Sequence, residues 1–155
     1  MRVTKYNTRL DADKLPMLVK ESAFNYNGKL NMTNPNEIYW FLNNQEDLEG
    51  LDKECLWLFC FNTKQKFIGY FLVSTGSINV SLVPVREVFI KALAVGSVNI
   101  ALVHNHPSGD ATPSKEDVNV TKRVKEAGAL LGINLVDHLV LGDKTYCSMY
   151  EQNLF

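Results

Sequence analysis

Two histidines separated by one residue, His104 and His106, follow directly on a short apolar run, Val98-Asn-Ile-Ala-Leu-Val103. At i and i+2 on extended backbone both imidazoles can point to one side. Asp117, eleven residues further on, falls in the first turn of a helix that Ser114 opens. A strand end, a polar loop and a helix start can thus offer two nitrogens and one carboxylate oxygen to a single ion. Three N/O ligands without a thiolate are the set of a catalytic zinc site, which keeps its fourth position for water. Such a water becomes a usable nucleophile near neutral pH. A plainer reading stands beside this one. Ser114-Lys-Glu-Asp117 has the form of a helix N-cap with an acidic residue three positions on, which needs no metal. Asp110, in the same loop, is a rival carboxylate for Asp117.

The elements that must position these residues follow from periodicity. Glu54-Cys-Leu-Trp-Leu-Phe-Cys-Phe61 is apolar on both faces after its first residue, as a strand covered on both sides would be. Asn62-Thr-Lys-Gln65 reads as a turn and Lys66-Phe-Ile-Gly-Tyr-Phe-Leu-Val73 as the returning strand. Pro84 opens a helix with Val88, Phe89, Ala92 and Leu93 on its buried face, and Gly96 ends it. The strand into His104, the loop from Asn105 to Pro113 and a long helix from Ser114 to about Leu131 come next. A last hairpin forms around Gly142-Asp143. Strands and helices mix without strict alternation, so the expected fold is α/β, an α+β mixed-sheet sandwich. The first fifty residues are asparagine-rich and are expected to form a helical cap, with helices near residues 11–24 and 35–44. Asn34 and Pro35 start the second; Pro16 sits uneasily in the first.

Composition narrows the function classes. The chain has 155 residues, 46% hydrophobic and 21% charged, which suits one compact domain with a real core. A formal net charge of −1 gives no global field for nucleic acid or an anionic membrane. Three cysteines without C-x-x-C spacing exclude a disulfide framework and a thiolate zinc finger. Cys55 and Cys60 point to opposite faces of their strand and are expected to be core thiols. The amino terminus lacks the apolar stretch of a signal peptide, and no apolar run approaches the ~20 residues of a membrane helix. The expected location is cytoplasmic. Lys122, Arg123 and Lys125 read as a solvated helix face rather than a nucleic-acid contact. His138, after Asp137, reads as a satisfied core histidine beside a carboxylate, with a contact to a metal ligand or to substrate as the alternative.

His104-Asn-His106, seven residues, Ser114, two residues and Asp117 reproduce H-x-H-x7-S-x2-D. On that pattern the chain resembles the JAMM (JAB/MPN) metalloenzymes. The longer string His-Asn-His-Pro-Ser-Gly-Asp, with Pro84-Val-Arg-Glu-Val-Phe89 before it and Asp137-His-Leu-Val-Leu-Gly142 after it, resembles the RadC branch. The resemblance covers about residues 51–149. It implies a cytidine-deaminase-like layered fold, with residues 1–50 as the cap and 51–155 as the metal-dependent domain. It also implies one zinc ion on His104, His106 and Asp117.

The family pattern includes an upstream glutamate acting as general base. Glu54, at the head of the apolar strand, is the expected one, because a fixed strand end suits proton transfer over hydrogen-bond distance. Glu87 is the rival, already explained by the helix macrodipole and by Arg86. The implied reaction is water-mediated hydrolysis of a peptide or isopeptide bond in a peptide or protein substrate. Glu54 would move the proton and Ser114 would hydrogen-bond the developing oxyanion. The branch is also described as DNA-repair-associated, so a DNA-linked accessory role is the alternative. The near-zero charge and the absence of a helix-hairpin-helix signature in residues 1–50 weigh against autonomous DNA binding.

Overall fold

The computed structural model describes residues 1–31, 34–76 and 83–155. Among them a seven-stranded mixed sheet runs in the order β2-β1-β4-β3-β5-β6-β7, with three α-helices. The strands are β1 Arg2–Leu10, β2 Pro16–Asn25, β3 Glu54–Phe61, β4 Phe67–Gly76, β5 Asn99–Asn105, β6 Asn134–Gly142 and β7 Thr145–Ser148. The helices are α1 Pro35–Gln45, α2 Val85–Ala94 and α3 Lys115–Leu131. Neighbouring strands are antiparallel except β1/β4 and β5/β6. This is the α/β sandwich expected from the sequence.

The double-sided apolar pattern of β3 explains the layers. Its odd residues Cys55, Trp57, Phe59 and Phe61 pack in one cluster with Ile38, Phe41 and Leu42 of α1. Its even residues Leu56, Leu58 and Cys60 pack in a second cluster with Val88, Phe89 and Ala92 of α2 and Val120 and Val124 of α3. The two cysteines therefore lie in opposite layers as free, buried thiols. β5 is paired to β3 with Leu58 opposite Leu102 and Leu56 opposite His104. Residues directly opposite in an antiparallel pair share a face, so His104 continues the Ile100–Leu102 row on the α2/α3 side.

The expected helix near residues 11–24 is instead a β-hairpin, β1–β2. Leu15, Leu18 and Val19 have helical spacing, but Asp11 decides the local structure. Its carboxylate accepts from the amides of Asp13 and Leu15, both at 2.9 Å, and Lys14 adopts φ 64°. An Asx-type turn of this kind competes with helix. Pro16 then opens edge strand β2, where a missing amide is tolerated. The hairpin joins the main sheet through parallel pairing of Lys5 and Tyr6 with Tyr70 and Phe71. Glu46 at the end of α1 accepts from Lys5 Nζ at 2.8 Å and from Tyr70 Oη at 3.0 Å, pinning the junction. The described residues of 1–50 thus share the sheet with the rest of the chain and pack mainly into the α1-side core, with Tyr6 on the other side, and α1 is as expected.

Leu93, expected on the buried face of α2, is 55% exposed. Lys91 is buried in its stead, with Nζ on Thr8 Oγ1 at 2.9 Å and 5.6 Å from the Phe71 ring centroid. The remaining helix signals stand: Ser114 caps α3, and Gly132 closes it at φ 70°. No helix among the described residues is long and apolar enough to cross a membrane.

Candidate metal centre

Three elements deliver three side chains to one point. His104 is the penultimate residue of β5 and is 2% exposed. His106 lies just beyond the strand, where its amide donates to Leu141 O at 2.8 Å and its carbonyl accepts from Gly109 N at 3.0 Å. Asp117 is the third residue of α3, inside a capping box: Ser114 Oγ accepts from Asp117 N at 3.0 Å, and Ser114 N donates to Asp117 Oδ2 at 2.8 Å. The Ser114 hydroxyl also donates to Oδ2 at 2.6 Å. The cap therefore occupies Oδ2 and leaves Oδ1 as the less committed oxygen. Oδ1 stands 3.5 Å from His104 Nε2.

The loop from His106 to Ala111 is seated on β6 by close backbone contact. Asp143 N donates to Gly109 O at 2.8 Å, and Gly109 adopts φ 82°. A Cβ on Gly142 would sit 2.3 Å from Gly109 O and 2.8 Å from Ala111 N, both backbone atoms without room to move alone. Gly142→Ala is expected to push this loop off β6. It should lower stability by about 1–3 kcal/mol and weaken metal binding through His106, as read by thermal melts and a zinc competition titration. An unchanged melting curve and zinc affinity would show that the loop yields freely.

The donor atoms converge. His104 Nε2 and His106 Nε2 face each other at 3.0 Å, and His106 Nε2 is 3.6 Å from Asp117 Oδ2. One ligand atom from each of the three residues lies within 4.8 Å of the others, a group that could hold a metal ion. Tetrahedral zinc with ligands at about 2.0–2.2 Å places its donors about 3.3–3.6 Å apart; the two His–Asp117 separations of 3.5 and 3.6 Å match, and the two Nε2 atoms at 3.0 Å stand slightly closer. The Asp110 carbonyl at 2.7 Å from His106 Nδ1 can only accept, so that nitrogen carries a hydrogen and the neutral ring has its lone pair on Nε2. His104 Nδ1 is taken up by His138 Nε2 at 2.8 Å, and His138 Nδ1 by Thr121 Oγ1 at 2.6 Å.

Burial pushes the His104 imidazole down to about 4, against the opposing field of Asp117. Burial also holds His138 well below the ordinary histidine range. The hydrogen bond with Asp117 raises His106 despite partial burial, and Glu54 adds to that rise. Burial alone would raise Asp117, but His106, His104 and Ser114 outweigh it and keep the carboxylate ionised far below its usual range. With metal removed by chelator, the depressed histidines set the acid side of stability. The unfolded chain binds protons on them below about 6.5 and the folded chain does not, so stability falls as pH drops from about 6.5 toward 4. His104 alone corresponds to ~3 kcal/mol across that window. The contribution of His106 has the opposite sign and is already complete below 6.5, so it does not flatten the trend. Urea titrations at pH 7, 6, 5 and 4 are expected to show the decline; a flat profile would contradict it.

The other residues singled out in the sequence separate clearly. Glu54 heads β3, half-buried, and the β3/β5 register that sets Leu56 opposite His104 brings Glu54 to the level of His106. Glu87 lies on α2 in an exposed ion pair with Arg86 at 2.9 Å. Asp110 contributes its carbonyl; its carboxylate accepts from Thr112 N at 2.8 Å, and it is not in the three-residue group. Lys122, Arg123 and Lys125 are exposed, as a solvated face requires.

The His138 ring is not paired with the neighbouring carboxylate; of the two readings it follows the alternative, a contact to His104. Asp137 turns to Ser148 Oγ at 2.6 Å and Tyr150 N at 3.1 Å, while the His138 ring reaches His104. Thr121 was not singled out at all; its spacing of i+4 from Asp117 on an amphipathic helix was the available signal. An open cleft of about 410 Å³ adjoins His106, lined among others by Leu48, Leu51, Pro107, Leu141 and Lys144.

Comparison with known proteins bears directly on this arrangement. A family model described as RadC-like JAB domain matches residues 32–154. A UPF0758 protein of Clostridium novyi is 49% identical over 109 residues, which are 70% of this chain and 48% of that protein. One from Clostridium tetani is 41% identical over 132 residues, 85% of this chain and 57% of the relative. Another from Shouchella clausii is 46% identical over 110 residues, 71% and 48% of the two chains. The chain spans about half the length of these curated relatives. With the match running through β3, β5, the loop after it and α3, which carry Glu54 and the three converging side chains, the chain belongs to the RadC-like JAB domain family.

Proposed function

We propose that this chain is a zinc-dependent hydrolase of the JAMM type that cleaves a peptide or isopeptide bond. The observation that carries the reading is the convergence of two imidazole Nε2 atoms and one carboxylate, with none of the three cysteines in the group. Two nitrogens and one oxygen leave a fourth coordination position, the mark of a catalytic rather than a structural zinc site. A zinc ion held there supplies Lewis acidity, which brings a water into the nucleophilic range near pH 7 and polarises a carbonyl.

The chain's own residues supply the rest. Glu54, beside His106 at the strand head, takes the proton from the attacking water and returns it to the leaving amine. Ser114, whose hydroxyl donates to Asp117 Oδ2 at 2.6 Å, donates to the oxyanion in this reading once it turns toward substrate. The cleft beside His106 receives the acyl side of the substrate, with its leucines excluding water from the bond under attack.

The test is direct. The full chain is purified with supplied zinc, its metal content is measured, and peptide and isopeptide substrates are screened with and without chelator. One zinc per chain and chelator-sensitive turnover are expected. Failure to hold equimolar zinc, or turnover indifferent to the chelator, would overturn the proposal.

A further inference from the structure

The three histidines of the chain form one hydrogen-bonded row that ends on Thr121. Each contact in the row has a definite proton requirement. Thr121 Oγ1 lies 2.6 Å from the main-chain oxygen of Asp117. Two oxygens this close need a hydrogen between them, and a carbonyl has none, so the threonine donates its only one. Met149 Sδ, at 3.7 Å, is a poor competitor for that hydrogen. Thr121 Oγ1 therefore accepts from His138 Nδ1 at 2.6 Å. A neutral imidazole with its hydrogen on Nδ1 presents a lone pair at Nε2, so His138 accepts from His104 Nδ1 at 2.8 Å. His104 in turn is left with a lone pair on Nε2. From the other side the Asp110 carbonyl fixes the hydrogen of His106 on Nδ1, with the same result. With both rings neutral, the 3.0 Å approach of the two Nε2 atoms brings two lone pairs together beside the Asp117 carboxylate, the arrangement a cation at that point would satisfy.

We propose that Thr121 and His138 are positioning residues that lock His104 in its Nδ1–H tautomer and so aim a permanent lone pair at the metal position. Thr121 and His138 are both fully buried, so no water competes for their hydrogen bonds. The helix that supplies Asp117 as a ligand also supplies, one turn later, the residue that orients His104. One rigid element therefore sets the carboxylate and, through His138, the imidazole opposite it. The arm on His106 is different in kind, a single exposed carbonyl contact in a loop. Outer partners of this sort change metal affinity by about 10–100-fold when removed.

The lock has a direction that can be reversed. Without the threonine hydroxyl, His138 Nδ1 has no acceptor. The hydrogen can then move to His138 Nε2, which donates to His104 Nδ1 and leaves His104 with its hydrogen on Nε2, facing Asp117. That tautomer offers the metal no lone pair.

This inference rests on the metal reading of the site, but its first measurement does not need metal. Long-range proton–nitrogen NMR of nitrogen-15 histidine-labelled protein, made metal-free with chelator, reports which nitrogen of each ring carries hydrogen. Three histidines are readily assigned with His106→Ala and His138→Gln. His104 and His138 are both expected as Nδ1–H. Thr121→Val should shift His104 toward Nε2–H and weaken zinc binding, measured by chelator competition, about 10–100-fold. Thr121→Ser should restore both. His138→Gln, whose amide can accept from His104 and donate to Thr121, should stay within a few-fold of the parent in zinc affinity. A parent protein with His104 as Nε2–H, or a folded Thr121→Val with parental tautomer and zinc affinity, would overturn the lock. Should Thr121→Val not fold, the parent spectrum and the Thr121→Ser and His138→Gln pair decide it, with a large loss in both variants counting against it. Absence of zinc binding in the parent would instead overturn the metal reading, leaving the tautomer result to stand or fall alone.

Discussion

Glu54→Gln is expected to abolish most turnover while leaving zinc content at one per chain. A general base contributes about 10²–10⁴-fold, and glutamine keeps the size of the side chain while removing its capacity to take a proton. The metal should be indifferent, because Glu54 is outside the group of three converging side chains. Its influence on the centre is electrostatic, felt at His106. Glu87→Gln is the matched control. Its carboxylate is exposed on α2 and bonded to Arg86, so turnover should remain near parental. Steady-state kinetics on the best substrate from the screen, with metal analysis of the same preparations, give the comparison. If Glu54→Gln turns over normally and Glu87→Gln does not, the assignment of the base is reversed. If both are normal, proton transfer uses another group.

What the sequence makes legible here is what is local. His104, His106, Ser114 and Asp117 fall within fourteen consecutive residues, and each has a signal that needs no tertiary knowledge: a strand end, a two-residue alternation, a cap and a first-turn acid. The double-sided apolar run of β3 is equally plain, because a strand buried on both faces has no polar alternation to lose.

What escapes is non-local or decided by a single competing contact. The β1–β2 hairpin depends on Asp11 folding back on two amides, and on pairing with β4 more than sixty residues away. His138 shows the opposite failure, where a neighbour in sequence misleads. Successive strand residues point to opposite faces, so the Asp137 carboxylate is turned from the His138 ring by geometry alone. The β5/β6 register slips between Ile100 and Ala101, and Val136 is the extra residue that aims His138 at His104 rather than away from it. No periodicity in the sequence announces a bulge, and Thr121 matters only because that bulge exists.

The second large effect is on stability. Zinc is expected to raise the melting temperature of the parent chain markedly and to leave Asp117→Asn and His106→Ala almost unmoved. A ligand that binds only the folded state stabilises it by about 4 kcal/mol at a thousand times its Kd. At about 2–4 °C per kcal/mol for a chain of this size, the shift is about 8–16 °C. The difficulty is that Asp117 also serves the capping box, so its replacement changes the metal-free protein as well. Ser114→Ala resolves the two roles. It removes the side-chain acceptor of the Asp117 amide, which is worth about 1 kcal/mol at a helix start, but spares all three donors of the centre. Ser114→Ala should therefore melt lower with and without zinc while keeping most of the zinc-dependent increment. Asp117→Asn should lose the increment itself, since a neutral amide is a poor ligand for a dication, and Glu54→Gln should retain it. His106→Ala loses the ring's contacts with Asp110 O and Asp117 but keeps the backbone bond that fastens the loop to Leu141, so its metal-free melt should fall only modestly. Calorimetric scans of these four variants with zinc and with chelator separate cap from ligand. A zinc increment that survives Asp117→Asn and His106→Ala alike would place the ion elsewhere and leave the triad as a hydrogen-bonded cap.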